Sequence, residues 1–437
     1  MPLSAATLIE RIRGVFSTLP DTRGQSNNLT YLIQDAALSA FAIFFSQSPS
    51  FLDSQVRMQK QLGRNNASSI FGVHAIPSDN QIRNLLDPVP PETLFPLMSA
   101  MSDELYCQGY LEAFRSVNNT FLIALEGTDF FSSEKISCPC CSTSKLKNGK
   151  ILNRPIAVTP TLVAPGQKNV IALAPQFVLP QDGHDKQDCE LAAAGRWLDQ
   201  WGAHYSPWGI TYLGDDLYCH QPPCERVLSQ HANFLFTCKP DSHETLYEGV
   251  EDFSRIGGVT GVVRARRIGK KHVTDTYRFV NQVPLRNTDD AMMVNWFELV
   301  TTAQNGTVLF NNAWATSPRI TEENVASLAT AGRARWKIEN ENNNTLKTKG
   351  YHFEHNFGHG KQFLANLFAT MILLAFLVHT TLEWVDAPYR AVRNALPSRR
   401  TFFEHLRALI HYLPFDDWNH LMRFMGKSPD PEPHDTG

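Results

Sequence analysis

The chain has no excess of basic charge: Lys and Arg number 40 against 43 Asp and Glu among 437 residues, a formal net charge of −3. This balance excludes a protein that holds nucleic acid by a uniformly positive surface, so any such contact must come from local patches. The opening residues MPLSAATLIERIRGVF lack an apolar core of signal-peptide length, so secretion is not expected. Eight cysteines without such a leader read as reduced thiols rather than a disulfide framework. One uncharged run, Phe363 to Leu382, is long enough to cross a bilayer. Asn366, Thr370, His379, Thr380 and Thr381 interrupt it, and no one-sided basic cluster flanks it, so a buried core helix is favoured over a membrane span. A cytoplasmic protein with no membrane partner is the expectation. Neither H-E-x-x-H nor H-x-x-E-H is present, and GGVTG at 257–261 lacks the Gly-Lys-Ser/Thr ending of a phosphate-binding loop. Internal repeats are absent too.

What is present is an ordinary globular composition, 43% hydrophobic and 19% charged, with enough length for two to four structural units. Residues 1–115 read as a helical N-terminal domain: LIERIRGVF, LIQDAALSAFAIFFSQ and PETLFPLMSAMSDELYCQGYLEAF carry apolar residues at helical spacing. Within it, PSDNQIRNLLDPV begins with a helix cap and is either part of a small DNA-reading unit or a surface helix of a bundle. From 116 to 250 the period changes. TFLIALEGTDFF, PIAVTPTLVAP and NVIALAPQFVL are short runs of strand formers, followed by the amphipathic helix DCELAAAGRWLDQWGAHY. A strand (WGITYLGDDLY), a helix (PPCERVLSQH) and a strand (NFLFTCKP) complete an α/β core with the element order of a ribonuclease-H-like fold. Residues 251–316 read as β-hairpins, the second turning at Asn305-Gly306, and fit a β-rich insertion better than a continuation of the sheet. Residues 317–385 resume the core, with a helix capped by Thr321 and running through RARWKIENENNNTLK. Residues 386–437 are a partly helical segment and a polar tail, DPEPHDTG.

Metal-dependent phosphoryl transfer on DNA needs carboxylates converging on two hard cations ~3.5–4 Å apart. In a ribonuclease-H-like core these come from the first strand, the end of the fourth strand and a late helix. Glu126 and Asp129 stand at the first place, Asp215 and Asp216 at the second, and Glu339 at the third. Each alone is an ordinary strand-end or helix-surface acid; the agreement of all three placements is the signal.

From about Phe121 to His379 the chain resembles insertion-sequence transposases of the DDE class that carry a β-rich insertion before the catalytic glutamate. The blocks LPQDGHDKQDCE, GDDLYCHQPPCE, CKPDSHETLYE and YHFEHNFGHGKQ carry the resemblance. So does part of a tyrosine, arginine, glutamate and lysine signature, met by Arg335 and Glu339 at helical spacing. Gly332 stands at the tyrosine position and Leu346 at the lysine position, with Lys347 one step later. The family pattern has an aspartate just before the Gly-Thr of EGTDFFSS, where this chain has Glu126. The resemblance implies a transposase that cleaves transposon ends and transfers strands into target DNA. It implies two magnesium ions, replaceable by manganese, on Glu126 or Asp129 together with Asp215 and Glu339. Arg335 and Lys347 would contact phosphates, and a homodimer would assemble on DNA. Asp215 is preferred to Asp216 because Tyr218 follows it at the family's aromatic position.

Other clusters stand beside these. Arg264, Arg266, Arg267, Lys270, Lys271 and His272 crowd one hairpin, either as a solvated surface or as a phosphate-neutralising patch. Trp296 and Trp314 either stack on a flipped base or pack in the core. Cys138, Cys140 and Cys141 form C-P-C-C, a candidate structural zinc site needing further ligands from Cys189, Cys219, Cys224 or a histidine. His352, His355 and His359 read as structural histidines in a loop that starts a helix. Two rival functions remain open: a catalytically inactive, DNA-binding transposase derivative, and a zinc-dependent hydrolase built on the cysteines or histidines.

Overall fold

A computed structural model describes residues 3–23, 30–180, 188–269 and 271–427. The chain divides into two compact units. One comprises Leu111–Thr128 and Ala157–Asn342; the other comprises Met1–Tyr110, Asp129–Ile156 and Asn343–Gly437.

The first of these units is built on a nine-stranded mixed sheet. Its strands, numbered in chain order, are β1 (Phe121–Ala124), β2 (Thr161–Val163), β3 (Ile171–Ala172), β4 (Ile210–Gly214) and β5 (Asn233–Thr237), then β6 (Thr260–Ile268), β7 (Lys271–Pro284), β8 (Met293–Ala303) and β9 (Val308–Thr316). The spatial order is β6-β7-β8-β9-β5-β4-β1-β2-β3. β1, β4 and β5 run parallel, and the other neighbours are antiparallel. The central strands β1 and β4 are buried along their whole length, as the continuous apolar runs FLIA and ITYLG require. Helices Glu190–Tyr205 and Gln221–Ser229 lead into β4 and β5 respectively. The first helix is anchored by the Trp197 indole, which donates to the Ala174 carbonyl at 2.8 Å.

Two features differ from the sequence reading. The hairpin strands at 251–316 were expected as an insertion apart from the sheet. Instead β9 pairs with β5 through Leu235–Thr316, Phe236–Ala315 and Thr237–Trp314, so the hairpins extend the sheet. An unpaired edge on β5 would leave backbone donors and acceptors unsatisfied, and β9 fills it. The three early apolar runs are also each divided. Their second or first parts (Gly127–Asp129, Ile156–Val158 and Gln176–Phe177) form a separate three-stranded sheet.

The other unit is largely helical. Its longest helix, Leu364–Val385, is apolar and long enough to cross a membrane, but its apolar window is wholly buried within the fold. It packs against helix Ile33–Phe45, with the Phe44 and Phe368 ring centroids 5.5 Å apart. The polar residue His379 is satisfied there by Tyr389 Oη and the Phe45 carbonyl, each at 2.8 Å. The helix Asp79–Leu86 within PSDNQIRNLLDPV opens on a capping box between Ser78 and Gln81. Residues 142–145 and 151–154 form a two-stranded hairpin directly after the C-P-C-C turn.

Candidate active site

Strand register brings Glu126 and Asp215 level. In the parallel pair β1–β4, Ala124 lies opposite Leu213, and the Leu125 amide donates to the Leu213 carbonyl at 2.9 Å. Each acid lies two residues beyond that pair, so both leave the same carboxyl edge of neighbouring strands, the edge at which open α/β sheets bind ligands. Asp215 accepts from the Leu217 amide at 2.9 Å, which turns the chain sharply off the strand. Asp216 is committed elsewhere: its carboxylate accepts from the Lys239 amide and the Ser242 hydroxyl, and its Oδ1 lies 3.3 Å from His243 Nε2.

Glu339 enters from the late helical segment, where the expected continuous α-helix is not formed. The segment is α-helical over Val325–Arg333, 3₁₀ over Ala334–Trp336 and π-helical over Ile338–Asn343, so Glu339 sits in a wide turn of the kind that recurs at functional sites. Arg335, one turn earlier, joins two of the carboxylates. Its Nη1 donates to Glu126 Oε2 at 2.6 Å, and its Nη2 lies 2.8 Å from Glu339 Oε1. The Arg335 and Glu126 side chains are only 20% and 22% exposed, against 49% for Glu339.

The electrostatics follow from that crowding. Burial pushes the Glu126 carboxyl up to about 8, the Arg335 guanidinium opposes this, and the charges of Asp215, Glu339 and Glu190 push it further up. One guanidinium against four acids leaves the site short of positive charge.

Glu190 is the residue that sequence reasoning missed. It opens helix Glu190–Tyr205, and its Oε1 accepts from the Gly127 amide and from Tyr218 Oη, both at 2.9 Å. It therefore ties the turn after Glu126 to the turn after Asp215. A Cβ on Gly127 would come within 2.3 Å of Glu190 Oε2, which explains glycine at that position. Burial raises the Glu190 carboxyl, and the two hydrogen bonds oppose this. Its only sequence signal was its place in the block ending Asp188-Cys189-Glu190; residues 181–187 of that block lie outside the described residues.

The remaining candidates are distributed as follows. Asp129 belongs to the helical unit, where it lies 3.7 Å from Arg154. Lys347 belongs there too and pairs with Glu354 at 3.0 Å, while Leu346 is fully buried. Gly332, at the tyrosine position of the signature, leaves no room for a side chain: a Cβ there would lie 2.6 Å from Trp314 Nε1. In the basic hairpin, Arg266 is paired with buried Asp275, and Arg264 donates to the Glu322 carbonyl at 2.8 Å. Arg267 and Lys271 are exposed, and Lys270 lies outside the described residues. Trp296 and Trp314, candidates for base stacking by sequence, are each 1% exposed; the sheet holds them in its core, where no base can reach them. Among the described residues, two groups set three ligand atoms within 4.8 Å of one another: Cys138, Cys141 and His359, and Cys219, Cys238 and His243. The carboxylates are not so gathered; Arg335 stands between Glu126 and Glu339 instead.

No protein-family model and no curated protein matches the chain. Among solved structures it is similar to a piggyBac transposase in a synaptic complex with hairpin DNA. The TM-score is 0.44 at 9% identity, over 98% of this chain and 83% of that one. A likeness of that degree adds nothing to the site, whose chemistry rests on the geometry above.

Proposed function

We propose that the chain is a DNA transposase of the three-carboxylate type, cleaving phosphodiesters at transposon ends and joining the freed 3′-hydroxyl to target DNA. The observation that carries this reading is that Glu126 and Asp215 leave the same edge of two adjacent parallel strands, while Arg335 joins Glu126 to Glu339 of the late helical segment. The order β3-β2-β1-β4-β5, antiparallel then parallel, supports a ribonuclease-H-like core beneath it.

The donor set is hard oxygen, and the raised Glu126 carboxyl marks a buried acid cluster that a cation would relieve; magnesium, or manganese in its place, fits that demand. Glu126, Asp215 and Glu339 are the residues that would hold the ions. Two such ions, when bound, activate the attacking oxygen and stabilise the leaving one. Glu190 and the Tyr218 hydroxyl hold the two strand-end turns in register. Arg335 would exchange a carboxylate for a phosphate, and the exposed Arg267 and Lys271 would neutralise the DNA backbone. Synapsis of two ends would require a homodimer on DNA.

One observation favours a second reading. The Arg335 bridge occupies both Glu126 and Glu339, as expected of a DNA-binding protein that no longer cleaves. Nicking of end-containing DNA with magnesium or manganese separates the two. Cleavage by the wild type, abolished in Asp215→Asn and Glu339→Gln while DNA binding persists, is the expected result. Full-rate cleavage by those variants would sink the assignment, and wild-type binding without cleavage would favour the second reading.

A further inference from the structure

We propose that Cys138, Cys141 and His359 form a structural zinc site that ties the excursion 129–156 to the loop preceding helix Leu364–Val385. All three belong to the helical unit. The Cys138 and Cys141 sulfurs are 3.2 Å apart, and His359 Nδ1 lies 3.3 Å from Cys138 Sγ. Zinc bonds of ~2.3 Å to sulfur and ~2.0–2.1 Å to nitrogen are reached from there by small outward movements.

The backbone is built for such a site. The Cys141 amide donates to the Cys138 carbonyl at 3.0 Å, closing a tight Cys-Pro-Cys-Cys turn. The hairpin 142–145/151–154 follows immediately, with Ser142 opposite Arg154, and keeps that turn in place. On the other side the His359 loop is fixed independently of the sulfurs. The Asp87 carboxylate accepts from the amides of Lys361, Gln362 and Leu364 at 2.8, 3.0 and 3.3 Å. Gly360 has φ +66° and sits so close to Asp87 that a Cβ would lie 2.0 Å from Oδ1. The Phe131 ring packs on the His359 imidazole with centroids 4.2 Å apart.

The alternatives fit less well. Cys138, Cys141 and His359 are 9%, 5% and 9% exposed, so three ligand-type groups are withdrawn from water together. On binding zinc each coordinating thiol, three of them with Cys140, loses one proton to solvent as its Zn–S bond forms. A Cys138–Cys141 disulfide would leave the imidazole with no role. Cys140, whose sulfur now donates to the Gln362 carbonyl at 3.2 Å, is one residue away and supplies the fourth ligand after a small swing. The second sulfur–imidazole group, Cys219, Cys238 and His243, lies in the sheet unit and serves as an internal control.

The test uses the full chain purified without chelator, with metal measured by elemental analysis. About one zinc per chain is expected, lost in Cys138→Ser and His359→Ala and retained in Cys219→Ala. As a readout independent of variants, cobalt-loaded wild type should show tetrahedral and thiolate charge-transfer absorption. Its Cys138 and Cys141 should resist alkylation until a chelator is added. The proposal is overturned by a metal-free protein whose Cys138 and Cys141 alkylate freely, by a Cys138–Cys141 disulfide in the mass spectrum, or by zinc that leaves with Cys219→Ala and stays in Cys138→Ser. Magnesium-dependent cleavage plays no part in these readouts, so the zinc site and the transposase reading stand or fall separately.

Discussion

Arg335 and Glu126 form a largely buried ion pair of 2.6 Å across 209 residues of sequence, and the same guanidinium reaches Glu339. One cation thus balances a first-strand acid and a late-helix acid. Arg335→Ala would leave both without a counter-charge. The expected cost is roughly 1–3 kcal/mol in urea denaturation without divalent ions, less than for a fully buried pair because Glu339 is half exposed. Added magnesium should restore part of the loss. An unchanged midpoint in the variant would show that the bridge does not hold the site together.

Glu190 is predicted to act through Gly127 and Tyr218. Gly127→Ala places a methyl where the Glu190 carboxylate now sits, forcing that side chain away at about 1–3 kcal/mol. Glu190→Gln weakens the two hydrogen bonds by less. Because both changes break one contact, their effects should be clearly less than additive in a double-mutant cycle followed by thermal denaturation. Strict additivity would contradict the coupling.

His379 makes the helical unit sensitive to acid. The Phe45 carbonyl can only accept, so Nε2 carries the proton, and Nδ1 accepts from the Tyr389 hydroxyl. Burial lowers its pKa from 6.5 to about 3. The unfolded chain therefore takes up a proton before the folded one does. Stability is fully present above pH ~6.5 and falls towards pH ~3, by up to ~1.4 kcal/mol per pH unit for this group. A stability–pH profile of wild type against His379→Gln should show the two curves converging as pH falls. Parallel curves would refute the assignment.

The basic hairpin should separate into structural and DNA-contacting members. Asp275 is buried, accepts from the Thr301 hydroxyl at 2.6 Å and is paired with Arg266. Arg266→Ala is expected to cost stability, roughly 1–3 kcal/mol, by leaving that carboxylate without its cation. Arg267→Ala and Lys271→Ala should leave the melting temperature unchanged. Each should weaken DNA binding and reduce the slope of log K against log salt by about 1. A salt slope unmoved by either exposed substitution would remove the hairpin from the interface.

Local features were legible in the sequence because short-range chemistry decides them. Asn305-Gly306 turns a hairpin because Gly306 adopts φ +81°, and Ser78 with Gln81 starts a helix because its first amides need acceptors. The run from Phe363 was readable as a core helix because polar residues interrupt it, and the structure supplies partners for Thr370, His379 and Thr380. Acids at the ends of β1 and β4 and in the late helix were visible as candidates for the same reason: strand formers end where charges begin. Only the tertiary structure decided the rest. It divided three apolar runs between two sheets, joined β9 to β5, and set Glu190 against Gly127 and Tyr218. It also placed Arg335 between Glu126 and Glu339, and brought His359 to Cys138 across 221 residues. These contacts join distant segments whose meeting is determined by packing and by the pairing of exposed edges. Neither leaves a period or a spacing in the chain that could be read in advance.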